Sequence, residues 1–249
     1  MKIRLITLAF LLSPVVLQGQ MLDGAFFGSV GAGLAAHDNG AFSRRLKQYT
    51  PLRPGGEEYV YQTRDFSTAG TVVSGSIGWM FGGRYVIGAA AEQVSYPEMN
   101  SINAPGNPRD RYLLAAQGAG LDFGYAVVNR AGMLVYPYGH LGYYGYTLDY
   151  TNNQPTPIPF FEGRPVASGA TATYTGSAPR WALGVNMVKF IGATPAPGSL
   201  AITARLSWGM MFSRPEWKEP GGDVVNNGGL TPGYNGVALT IGIGGGFSW

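Results

Sequence analysis

Eight stretches of this chain alternate apolar residues with small or polar ones, position by position. In TVVSGSIGWMF, Val73, Ile77, Trp79 and Phe81 share one face, with Ser74, Ser76 and Gly78 on the other. In LLAAQGAGLDFGYAV, Leu113, Ala119, Leu121, Phe123 and Tyr125 oppose Gly118, Gly120, Asp122 and Gly124. The same alternation sets Phe26, Val30, Ala32 and Leu34 on one face, then Tyr85, Ile87, Ala89 and Ala91, then Val135, Leu141 and Tyr143. It returns in Trp181, Leu183, Val185 and Met187, in Leu200, Ile202, Ala204, Leu206 and Trp208, and in Val237, Leu239, Ile241, Ile243 and Phe247. A period of two is that of a β-strand, whose successive side chains point to opposite faces. Each run is about ten residues or longer, the length of a strand tilted across a bilayer. Strands of soluble sandwiches are nearer five or six.

The charges say which face meets what. Arg84, Glu92, Asp122, Arg180 and Arg205, together with His140, fall on the small-residue face. Lys189 is the exception, at a strand end where its stem reaches the interface. A soluble sheet turns its charged face to water and its apolar face inward. A membrane barrel does the reverse, with apolar residues toward lipid and charges in the lumen. Only 12% of the 249 residues are charged, about half the usual share, which suits the second arrangement. After the N-terminus no run of about 18 apolar residues occurs, which excludes a transmembrane helix in the mature chain. The absence of cysteine excludes a disulfide framework, thiolate metal sites and a lipidated cysteine anchor. No metal-ligand spacing or Walker-type loop is present, and no helix follows the glycine string GIGGGF, so no cofactor is expected.

Residues 1–20 read as a secretory signal, with Lys2 and Arg4 before an apolar run over 5–17 and small Gly19 near the cleavage point. Residues 21–249 form one barrel domain. Removing Lys2 and Arg4 lowers the formal net charge from +3 to +1, which gives no case for nucleic-acid binding. Between strands, short links around 82–83, 129–132 and 192–198 alternate with long ones near 38–69, 96–110, 150–179 and 213–233. The predicted fold is therefore all-β: an eight-stranded antiparallel up-and-down transmembrane barrel with four long extracellular loops and three short periplasmic turns. That orientation places Trp79, Phe81, Tyr85, Phe123, Tyr125, Phe247 and Trp249 at the periplasmic edge, and Tyr143, Trp181 and Trp208 at the upper one. Two such girdles are expected of amphipathic rings at the bilayer interfaces.

The chain resembles the eight-stranded outer-membrane barrels of Gram-negative bacteria, the OmpA-like or OmpX-like class. The resemblance rests on GAFFGSVGAGLAA directly after the signal, on VYPYGHLGYYGY, and on a final strand with Ile241, Ile243, Phe247 and Trp249 on one face. It implies localisation in the cell outer membrane and recognition of that last strand by the barrel insertion machinery. No sequence resembling the class's peptidoglycan-binding domain follows the barrel, so no wall-anchoring role is expected.

Glu92, Asp122, His140 and Arg205 count to one level above the periplasmic edge. An eight-stranded barrel is just wide enough for side chains to fill, and buried charges need partners. A lumen polar network is expected, with Arg205 bridging Glu92 and Asp122 and with His140 and Tyr138 nearby. The lumenal glycines, among them Gly31, Gly33, Gly118, Gly120, Gly242 and Gly244, are expected to make room for Tyr138, Tyr144 and Tyr146. An aqueous porin channel needs about sixteen strands. An acyl-modifying lipid enzyme would need a nucleophile, a base and an orienting group, for which His37 beside Asp38 with Ser43 is the candidate set, although HDNG is also ordinary turn sequence. Arg44, Arg45 and Lys47 in the first loop, and Trp217 expected exposed in the fourth, are candidate contacts to lipopolysaccharide phosphates or to a partner protein. The expected role is non-enzymatic: a structural component or an accessory subunit of a larger outer-membrane assembly. Loop-mediated binding or adhesion is the alternative.

Overall fold

The computed structural model describes residues 22–39, 43–44, 67–100, 110–130, 132–160, 164–191, 199–224 and 235–248. Eight long strands dominate: β1 (Ala25–His37), β2 (Ala69–Phe81), β3 (Tyr85–Ser95), β4 (Arg111–Tyr125), β5 (Met133–Thr151), β6 (Thr171–Ile191), β7 (Ser199–Met211) and β8 (Gly236–Ser248). Each pairs antiparallel with the next in sequence, and β8 returns to pair with β1 over its full length, from Ala25↔Ser248 to His37↔Gly236. Closure leaves no long strand with an open edge at mid-height, so the backbone groups are satisfied within the sheet.

The side-chain alternation is that expected from the sequence in all eight strands. Leu34 is 67% and Ile243 64% exposed on the outer face, while Phe27, Met80, Leu134 and Val188 are buried inside. The seam of β1 and β8 is glycine-rich for a steric reason. A Cβ on Gly31 would lie 2.8 Å from the Ile241 carbonyl oxygen, and one on Gly242 2.7 Å from that of Val30. These glycines let two backbones pack closely; they do not shelter tyrosine rings. Of the expected glycines Gly118 does take a ring, that of Tyr144, while Tyr138 rests against Gly184, where a Cβ would lie 2.6 Å from the phenol oxygen.

Strand lengths are unequal. β4, β5 and β6 have 15, 19 and 21 residues, against 13, 13, 11, 13 and 13 for β1, β2, β3, β7 and β8. The third long connection is thus shorter than its proline content suggests, because β6 starts at Thr171 rather than after Pro179. Pro179 lies where one edge of β6 changes partner. Pairing with β7 ends at Arg180↔Met211, and pairing with a short strand, Glu216–Lys218, begins at Ser177↔Glu216. A proline is tolerated at such a break in a ladder.

The short-turn end is tightly laced. Gly82 and Gly83 adopt φ of 56° and 68° in the β2–β3 turn, a region open to glycine at little cost. The Asn129 side chain donates to the carbonyls of Leu22 (2.7 Å) and Gly83 (2.9 Å) and accepts from the Leu22 amide (3.2 Å). Arg84, expected on the lumenal face of β3, sits in the turn just before the strand instead, exposed, where Nη1 donates to the Tyr125 hydroxyl at 2.6 Å.

Candidate functional site

The lumen is filled in three layers. The lower one is apolar and aromatic: Leu22, Phe27, Met80, Val86, Leu134, Tyr136, Tyr138, Val188 and Phe190 pack as one buried cluster. The upper one is larger and includes Tyr96, Tyr112, Tyr144, Tyr146, Tyr150, Phe160, Tyr174 and Trp217. Between them lies a belt of charge.

Two ion pairs make up the belt. Arg205 holds Asp122 with both terminal nitrogens, at 2.5 and 3.1 Å, and its guanidinium stacks over the Tyr138 ring, 4.1 Å from the centroid. Arg180 donates to Glu92 at 2.6 Å and lies 4.8 Å from the centroid of Tyr144. His140 joins the two. Its Nδ1 donates to Asp122 at 2.7 Å, and its Nε2 lies 3.5 Å from the Tyr144 hydroxyl, which itself donates to Glu92 at 3.0 Å. Every charge has an opposite partner, as burial requires.

The structure therefore brings Glu92, Asp122, His140 and Arg205 together, but Arg205 does not bridge the two carboxylates. Arg180 takes Glu92 instead. Sequence reasoning put Arg180 on the lumenal face yet left it out of the network, because Pro179 marked the loop boundary one residue away. The belt closes only because glycines line it. A Cβ at Gly209 would lie 2.7 Å from Arg180 Cζ, and one at Gly120 or Gly142 2.7 Å from the His140 ring. A lumenal glycine two residues along the same strand, or on the neighbouring strand, beside a charged or imidazole side chain was the available signal.

The remaining candidates are placed differently. Trp217 is buried, not exposed: it is 2% accessible in the upper cluster, because Glu216–Lys218 docks as a strand on β6 and turns the indole inward. Arg44 is exposed, whereas Arg45 and Lys47 lie outside the described residues, as do the signal segment and Trp249. Ile241, Ile243 and Phe247 face outward on β8, and Phe247 stacks with Phe26 at 5.6 Å. His37 is buried at the top of β1, with Nδ1 paired to the Tyr96 hydroxyl. Ser43 is also buried, and its hydroxyl donates to the Asn39 carbonyl at 3.0 Å.

The outer wall is apolar from end to end of the bilayer-height band. Val30, Val73, Ile77, Leu121, Leu141, Leu183, Leu206 and Ile241 are exposed along it. Trp79, Tyr85 and Phe123 rim its lower edge, with Tyr143 and the Trp181–Trp208 pair (5.4 Å) at the upper. A shallow depression of about 590 Å³ on this wall marks where Gly28, Gly75, Ala89, Ala91 and Ala119 carry little side chain toward lipid. A closed sheet with hydrocarbon outside and paired charges inside suits a bilayer and no other solvent.

The architecture is that of an outer-membrane β-barrel.

No protein-family model and no curated protein matches the chain. Solved structures with a similar fold include a major outer membrane protein from Thermus thermophilus, at 11% identity, covering 91% of this chain and 99% of that one, with a TM-score of 0.48. OprG from Pseudomonas aeruginosa is similar at 11% identity, with coverages of 93% and 99% and a TM-score of 0.48. Ail, the attachment invasion locus protein of Yersinia pestis, is similar at 10% identity, with coverages of 91% and 100% and a TM-score of 0.40. Likenesses this distant carry no function across. The barrel reading rests on the closed strand order and the polarity of its two faces.

Proposed function

We propose that the chain is a non-enzymatic integral protein of the outer membrane, exported by a cleaved signal peptide. It acts as a structural component or an accessory subunit of a larger assembly. The observation that carries this reading is the three-layered filling of the lumen. A transporter needs a route and an enzyme needs access for substrate. Asp122, His140 and Tyr144 do stand in the order of orienting acid, base and hydroxyl. However, the hydroxyl donates to Glu92, and aromatic layers cover the group above and below. What remains for function is the outer surface and the extracellular end.

Two measurements test this. In planar bilayers the purified barrel gives no resolved conductance steps; stepwise conductance overturns the closed-lumen reading. Purification in a mild detergent yields a stoichiometric partner; a lone monomer removes the accessory role. Binding through the extracellular end is a second reading, favoured by the way the third and fourth connections are tied. The Arg164 amide donates to Glu219 at 2.8 Å and its guanidinium to Asp223 at 3.0 Å. Such rigidity suits a recognition surface.

A further inference from the structure

The tall wall formed by β4, β5 and β6 continues above the upper girdle. The ten steps from Trp181 up to Thr171 rise about 25 Å along the barrel axis on a tilted strand. There the three strands form a sheet of their own, extended on one side by Met99–Asn100 on β4 and on the other by Glu216–Lys218 on β6. Its inner face is packed. Tyr112, Tyr150, Tyr174 and Trp217 are buried beneath a small hairpin, Ile158–Pro159 with Pro165–Val166, and Phe160 from that hairpin stacks flat on Tyr150 at 4.4 Å. The sheet is therefore held rigid above the membrane.

Its outer face has an unusual chemistry. The outward residues of the upper part of β6 are Thr171, Thr173, Thr175 and Ser177, all exposed, and those of β5 are Thr147, Asp149 and Thr151. Register sets Thr151 against Thr171, Asp149 against Thr173 and Thr147 against Thr175. The hydroxyls are tied in pairs: Thr151 to Thr171 at 2.8 Å, Thr173 to Asp149 at 2.6 Å, and Ser177 to Tyr143 at 2.8 Å. Among the described residues its cations stand at the margins, Arg111 on β4 and Lys218 beyond β6. A sheet face meant for bulk water is usually studded with charge. This one is flat and rich in hydroxyls, with Asp149 inside the ladder and its other charges, Arg111, Glu216 and Lys218, at the two edges. It is also continuous with the lipid-facing band directly below it, so what lies against it is whatever the outer leaflet raises above its acyl chains.

We infer that this face binds the saccharide region of an outer-leaflet glycolipid, with its acyl chains on the apolar wall beneath and its sugars on the threonine ladder. Preordered hydroxyl pairs present fixed donors and acceptors to sugar hydroxyls with little ordering cost. Tyr143 at the foot of the ladder offers a ring to a sugar's apolar face, and Lys218 stands at the edge where a phosphate on the glycan would reach, while Arg111 at the other edge is already paired with Glu98. Among the described residues this side of the barrel rises highest, so the binding expected is one-sided. The inference rests on the membrane-embedded reading above and locates its lipid contact.

The test uses the full barrel in phosphatidylcholine nanodiscs, titrated with lipopolysaccharide bearing its core sugars, with the same lipid lacking them, and with the soluble core oligosaccharide. Bound lipid is counted by native mass spectrometry. The core-bearing form is expected to bind at least tenfold tighter than the other two. Replacing Thr151, Thr173 and Thr175 by Val removes three hydroxyls yet keeps β-branched shape, and should bring the core-bearing lipid down to the level of the truncated one. Heat-modifiable gel mobility confirms that the triple variant is folded. Equal binding of the two lipids, or an unaffected triple variant, overturns the inference. Soluble sugar binding as tightly as the lipid overturns its membrane source. A conducting pore in the bilayer assay would sink the closed-lumen reading without touching this result.

Discussion

Removing one charge from the belt should cost far more than removing a matched pair. Arg180 is 1% and Glu92 14% exposed at the side chain, and they meet at 2.6 Å. With charge centres about 4 Å apart and an effective dielectric near 20, their attraction is about 4 kcal/mol. Glu92→Gln keeps the shape and an acceptor for Tyr144 but leaves a buried guanidinium without its anion. Breaking a buried pair from one side costs about 3–5 kcal/mol. Arg180→Met strands Glu92 in turn and also loses the contact with the Tyr144 ring, a further ~1 kcal/mol. The double variant is neutral and of similar volume, so it should regain most of the loss, with a coupling of about 2–4 kcal/mol. The assay is urea unfolding of the four proteins refolded into short-chain lipid vesicles, followed by tryptophan fluorescence and gel mobility. A coupling under about 0.5 kcal/mol, the scatter expected of independent sites, would refute the pairing.

Three other outcomes are expected. Gly118→Val forces a side chain into the Tyr144 ring and should destabilise by about 1–3 kcal/mol; Gly139→Ala, with nothing within 4 Å of the added carbon, should be neutral in the same titration. Trp217→Ala empties the pocket beside Gly176 and should release the Glu216–Lys218 strand, so that trypsin cuts after Lys218 in the folded variant and not in the parent; equal resistance would argue against the docked strand. The Glu98 carboxyl, on the loop above the bilayer, is held below its ordinary value of 4.5 by its bond to Arg111 at 2.7 Å. A carboxylate depressed by folding stabilises above its unfolded pKa, and that contribution fades as pH falls through the folded value. The tie should therefore be intact at neutral pH and lost in acid below 4.5, as read by the carbon shift of Glu98; a midpoint at or above 4.5 would refute it.

How much was legible from residues alone depends on the range of the interaction involved. Inward and outward positions are a local property of the pleat. Each pair such as Gly242 and Ile243 declares its faces within two residues, so the eight strands, the apolar wall and the lumenal charges could be read without coordinates. The outward placement of Lys189 at a strand end followed from the same rule. Strand ends were less legible. Proline and threonine in the segment before Arg180 read as loop, because nothing local says that β5 offers a long partner there or that a three-residue strand covers the other edge.

Tertiary structure alone decided who meets whom across the lumen. Which arginine reaches which carboxylate depends on strand tilt and stagger around the barrel, which bring Arg180 of β6 to Glu92 of β3 and leave Arg205 to Asp122. The same non-local geometry buried Trp217, whose charged neighbours suggested exposure, and raised three strands into a wall with a hydroxyl face. A side chain's direction comes from its own backbone. Its partner comes from the closure of the whole sheet.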